Sequence, residues 1–180
     1  MKKNKITITL AFALITSLIV FSCKKEKTEP APYPDNNPPA ASEFIADTNT
    51  FLSYSTWTVQ ATNQGPDPAL GMAHSGNDST VVRMVHFKDG QNPVNGKYPV
   101  GTIIVKHSSN MSSVNELTAM VKRGNNFNPT KGDWEFFMLM PNGKIAKDST
   151  GMYMRGANLM GGMCGSCHAG AANKDYIFSK

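Results

Sequence analysis

The chain has 180 residues, of which 40% are hydrophobic and 17% charged, and it carries a formal net charge of +5. Its first 22 residues hold three lysines and no acid, so the remainder carries +2. That small surplus is no argument for nucleic-acid binding, and the mature part is long enough for one domain with one core.

Met1 to Ser22 opens on Lys2, Lys3 and Lys5 and runs into the apolar stretch Ile6 to Ile15, the pattern of an export signal. The run ends at Val20-Phe21-Ser22-Cys23, a small residue directly before a cysteine, as at a bacterial lipoprotein cleavage site. Phe21 is bulkier than the usual pattern. The reading is that Cys23 becomes the lipidated first residue and that the membrane is met through this anchor only, at the periplasm or outer membrane. An ordinary signal peptide with an incidental cysteine is the alternative. Residues 23–41 are charged and then Pro-rich, with Pro30, Pro32, Pro34, Pro38 and Pro39, and read as an extended tether. Residues 42–180 form the domain.

Within the domain the pattern predicts α+β, predominantly antiparallel sheet with a few helices. Phe44 to Trp57 has loosely helical apolar spacing, and Trp57 to Ala61 reads as a strand. Asn63 to Ser79 is a loop rich in Gly, Pro and Asn. Strands follow at Val81 to Phe87, Gly101 to His107, Leu117 to Arg123 and Trp134 to Met140, the last closed by the turn Pro141-Asn142-Gly143-Lys144. Polar turns at such intervals predict a meander.

Near the C-terminus stands Cys164-Gly165-Ser166-Cys167-His168. Two thiols two residues apart can each add to a haem vinyl group, and the following imidazole can ligate the iron. Gly165 is read as letting this loop bend against the macrocycle. A Cys164–Cys167 disulfide would close too short a loop to stabilise much. Zinc needs four ligands, and beyond Cys23 only His74, His86 and His107 remain to complete a set. A thioredoxin-like pair lacks its α/β setting. One covalent haem c held by Cys164, Cys167 and His168 is therefore expected, with lipidated Cys23 accounting for the third cysteine. Twelve residues follow His168, with no Met or His among them, so any sixth ligand comes from upstream. The β-rich segment upstream disfavours the helical cytochrome folds.

Four stretches carry a family resemblance: Val82 to Phe87, Gly101 to Lys106, Gly132 to Phe137, and Cys164 to Ala169 running on to Lys174-Asp175-Tyr176-Ile177-Phe178. In that order they resemble cytochrome P-460 and its relative cytochrome c′-beta. The resemblance implies a five-coordinate iron on His168 with an open distal face for small nitrogen species, hydroxylamine or nitric oxide. It implies that Lys106 matches a lysine cross-linked to the porphyrin edge, and that Arg83 matches an arginine near the pocket. Thr118 falls where hydroxylamine-oxidising members carry a proton-moving glutamate, and a threonine hydroxyl is no general base near neutral pH. Glu116, two residues away on the same face and about 6.6 Å along the strand, substitutes for it only if the register slips. A homodimer and a redox partner such as another cytochrome are also implied. The alternative is a non-enzymatic gas binder or a six-coordinate electron carrier, its sixth ligand drawn from Met138, Met140, Met152, Met154, Met160 or Met163. Those methionines also serve as packing around a large rigid group. Lys106 as a solvated strand-end lysine and Arg83 as a sheet-surface or propionate-pairing residue are the plainer readings of those two positions. His107 projects to the face opposite Lys106, and His74 sits in a loop that fixes no direction for it.

Overall fold

The computed structural model describes residues 42–178, so the expected export signal, the expected lipidation of Cys23 and the expected tether lie outside the described residues. Six strands, β1 (Thr58–Gln64), β2 (Val82–Phe87), β3 (Ile103–Ser109), β4 (Asn115–Lys122), β5 (Trp134–Leu139) and β6 (Arg155–Gly156), pair antiparallel in sequence order. This is the meander predicted by the alternating runs, extended by the two-residue β6. The turn after β5 closes with Met140 N–H donating to the Lys144 carbonyl at 2.7 Å.

Period-2 alternation in the strands gives the sheet two different faces. On one face Ile103, Val105, Leu117, Ala119, Val121, Phe137 and Leu139 pack under Phe51, Tyr54 and Ile145. On the other lie Val85, Phe87, Ile104, Met120, Trp134 and Phe136, covered by Tyr98, Leu159 and Ile177. The second face is covered by the C-terminal segment, in which 3-10 turns flank a single α-helix, α1 (Met163–His168).

The helical expectation for Phe44 to Trp57 is not met. That segment is a string of turns with one 3-10 turn at Tyr54–Thr56. Its bonds are three residues apart, as from Leu52 N–H to the Asn49 carbonyl and from Tyr54 N–H to the Phe51 carbonyl, both 3.2 Å. Asp47 accepts from Asn49 N–H at 2.9 Å and from the Thr50 hydroxyl at 2.9 Å. These local side-chain bonds compete with a helical ladder. The apolar spacing still does its work, because Phe51 and Tyr54 are buried in the core.

Candidate haem site

Strand register decides what shares the second face. Lys106 of β3 lies opposite Val85 of β2 and Thr118 of β4, and Thr118 lies opposite Met138 of β5. One row further along, Arg83, Ser108 and Glu116 stand side by side. In the other direction the row Phe87, Ile104, Met120 and Phe136 is followed by the pair Lys122 and Trp134. Helix α1 lies over this face and leaves a cavity of about 220 Å³ between itself and the sheet. Cys164, Cys167 and His168 line the helix side, while Lys106, Glu116 and Thr118 line the sheet side. His74 and Leu70, from the loop between β1 and β2, close the end.

The helix side has the chemistry that haem attachment requires. Both thiols are free, Cys164 half-buried and Cys167 exposed. Burial raises the Cys164 pKa. His168 is packed between the rings of Phe136 and Phe178, each with its centroid 5.5 Å away. Its Nδ1 lies 2.7 Å from the Tyr176 carbonyl oxygen. A carbonyl only accepts, so Nδ1 carries the hydrogen and Nε2 keeps its lone pair. Burial, together with the charges of His74 and Lys106, takes the imidazole down to about 4 against the hydrogen bond it donates to the Tyr176 carbonyl, so it stays neutral and able to ligate. Gly165 does not form the expected bend. It is helical and buried against the sheet, where a Cβ would lie 3.4 Å from Lys131 Cγ and 3.5 Å from the Phe136 ring. Those are ordinary van der Waals distances, so the position has room for a methyl group. Thiols, neutral imidazole and a mostly apolar cavity fit a haem. Among the described residues no group of three His, Cys, Asp or Glu gathers to hold a bare metal ion.

On the sheet side, Lys106 is pushed down to about 8, first by burial and then by the charge of Arg83, with Asp67, Glu116 and Cys167 opposing. A solvated strand-end lysine does not describe it. Thr118 lines the cavity beside it, and so does Glu116 without any slip of register. Lining the cavity thus needs no slip, and the register leaves Thr118, not Glu116, beside Lys106. Adjacent same-face residues of β4 both reach the cavity, because it runs along the strand over more than one row. Glu116 Oε1 is 3.6 Å from His74 Nδ1, and the Thr118 hydroxyl is 3.4 Å from the same nitrogen. The contact with His74, aided by Ser75 and Lys106, lowers the Glu116 pKa despite its burial.

Arg83 does not line the cavity. It is 1% exposed, and its guanidinium donates to the carbonyls of Gly65 and Ser75. It straps the β1–β2 loop and so carries His74 to the cavity wall. Gly76 completes the loop, since a Cβ there would stand 2.5 Å from Leu70 Cβ. His107 faces away from Lys106 and, with His86, flanks Tyr54 edge-on at 5.8 and 5.5 Å. Of the methionines, Met120, Met138, Met160 and Met163 line the cavity, the last two from exposed positions, and Met140 and Met152 are exposed away from it.

The C-terminal tail contributes residues whose role is not evident from the sequence. Asp175 is 4% exposed and meets Lys122, with Nζ at 2.8 and 2.7 Å from its two carboxylate oxygens. Its Oδ2 accepts from Tyr98 N–H at 2.8 Å, and its carbonyl accepts from Trp134 Nε1 at 2.8 Å.

A c-type haem protein whose attachment motif follows a β-meander is the class that this arrangement defines. The chain belongs to the Cytochrome P460 family, which it matches over residues 52–179. Comparison with curated proteins and with solved structures returned no match.

Proposed function

We propose that the protein is an exported, lipid-anchored monohaem c-type cytochrome that binds or oxidises small nitrogen species, such as hydroxylamine and nitric oxide, at an open distal face. In this reading Cys164 and Cys167 form the thioethers and His168 Nε2 is the axial ligand. The observation that carries it is the composition of the cavity wall opposite α1: Lys106, Thr118, Glu116 and His74 share one space with the attachment helix. Haem supplies the iron at which such ligands coordinate and exchange electrons.

The chain's own residues then have distinct tasks. Lys106, with its amine held near 8, offers an uncharged nitrogen for a cross-link to the porphyrin edge more readily than a solvated lysine does. Thr118 can only donate or accept a hydrogen bond. Glu116, kept ionised beside His74, is the carboxylate within the cavity that can take a proton from a bound ligand. Apolar side chains, Val85, Ile104 and Phe136 among them, limit water around these groups. A redox partner such as another cytochrome would exchange electrons at the exposed Cys167 side, and a homodimer belongs to the same proposal.

Ferric and ferrous absorption spectra with and without nitric oxide test this directly. The expected outcome is pigment that survives acidified organic solvent, a high-spin ferric form and a nitric oxide adduct. A cross-link places the Soret band well to the red, and Lys106→Ala returns it to the ordinary c-type position. An unshifted parent spectrum removes the cross-link. A second reading, a six-coordinate electron carrier with His74 as its sixth ligand, draws on the Glu116 carboxylate 3.6 Å from His74 Nδ1, as carboxylates commonly stand behind metal-bound imidazoles. A low-spin ferric spectrum and no nitric oxide adduct would select it.

A further inference from the structure

We propose that the buried Lys122–Asp175 pair is a positioning device for the axial histidine: it fixes the turn whose carbonyl orients His168 and thereby tunes the iron from the sheet. The proposal rests on His168 being the iron ligand.

The turn at Asp175 and Tyr176 is unfavourable by itself. Both residues hold positive φ, 52° and 68°, and neither is glycine. Such backbone persists only when its surroundings over-determine it. Here they do. Asp175 is tied to β4 through Lys122, to the Tyr98 backbone, and to β5 through Trp134. The Tyr176 hydroxyl donates to the Thr130 carbonyl at 3.0 Å. Gly132 makes the approach feasible, because a Cβ there would lie 2.8 Å from the Tyr176 ring and 2.9 Å from Asp175 Oδ1.

Stability alone is a poor reason for this arrangement. Desolvating a lysine and a carboxylate together tends to be neutral or unfavourable against an apolar pair of similar volume. What the pair does secure is geometry. The next carbonyl along, that of Tyr176, is the acceptor 2.7 Å from His168 Nδ1. A hydrogen bond to the non-ligating nitrogen fixes ring orientation and raises ligand basicity. The chain of constraint therefore runs from β4 through Lys122, Asp175 and Tyr176 to the imidazole.

The test uses full-length, haem-loaded protein: the parent, Asp175→Asn, Tyr176→Phe and, as a remote control, Phe51→Leu in the core of the far face. Two properties are read, the ferrous iron–imidazole stretch by resonance Raman and the midpoint potential. Asp175→Asn is expected to lower the stretching frequency and raise the potential, as a weakened hydrogen bond makes the imidazole a poorer donor. Tyr176→Phe, which loses only a tether near the surface, shifts both in the same direction by less. Phe51→Leu lowers thermal stability and leaves both at parental values. Parental values in Asp175→Asn and Tyr176→Phe overturn the proposal, as does an equal shift in Phe51→Leu. If Asp175→Asn does not accumulate folded, Tyr176→Phe decides alone, and parental values there overturn it. A parent lacking the ferrous stretch counts against the open distal face instead, and the potential then carries the test.

Discussion

The two faces of the sheet are covered in opposite ways. The far face is closed by the chain itself: Phe51 and Tyr54, delivered by the turns before β1, pack over Val105, Ala119 and Phe137. The near face is closed only at its Trp134 end, by Tyr98, Ile177 and the Asp175 pair. Towards Glu116 it opens into a cavity lined by titratable groups. A lysine, a carboxylate and an imidazole kept largely from water there would be an odd choice for a structural core. The sheet thus packs one face for stability and leaves on the other a cavity of about 220 Å³ with titratable walls.

Substitutions on the two faces should break apart in size. Phe51→Ala, which removes a fully buried ring 5.1 Å from that of Phe137, is expected to destabilise by about 3–5 kcal/mol in urea unfolding. A smaller loss would mean that the turns before β1 collapse into the space. Next comes the strap of the distal loop. Arg83→Met leaves the Gly65 and Ser75 carbonyls without their buried donor, and about 2 kcal/mol should be lost. Hydrogen exchange should speed up across residues 65–76 far more than in β4. Uniform loss of protection over the sheet would show that Arg83 supports the whole core and not one loop. On the near face, Met138→Ala widens a space that is already open, so about 1 kcal/mol or less is expected. A loss equal to that of Phe51→Ala would refute the contrast between the faces.

Much of this contrast is legible in the sequence, and the reason is periodicity. Strands β2 to β5 alternate so regularly that register, faces and the opposition of Lys106 and His107 follow from counting. Cys164, Cys167 and His168 are equally plain because their chemistry is local in sequence. Contacts between distant positions were not legible. Lys122 and Asp175 are 53 residues apart, and nothing nearby announces either as buried. The available signal was a lysine two residues after Met120 on the inward alternation of the strand, which demands a buried partner. His74 depends on a loop held by backbone carbonyls, to which no side-chain pattern points. The segment from Phe44 to Trp57 misled because apolar spacing reports burial, while the local bonds of Asp47 choose the backbone.

The smallest expected effect lies on the far face and appears only in acid. His86 is buried next to Tyr54, and burial lowers its pKa below the ordinary 6.5, with the charge of His107 adding to the shift and a backbone bond at Trp57 opposing it. The folded state therefore takes up this proton later than the unfolded chain as pH falls. Stability from keeping His86 neutral is complete above about 6.5 and drains away as pH drops from there towards the lowered folded value. His86→Phe removes that linkage while keeping an aromatic ring against Tyr54. Parent and variant should show nearly parallel stabilities above pH 7 in thermal or urea unfolding. Below 6.5 the parent should lose stability faster. With haem proposed for the other face, the absorption spectrum should follow unfolding and show no separate transition in that window. Parallel acid limbs for the two proteins would mean that His86 is solvated when charged, and that the far face is less tightly closed than its packing implies.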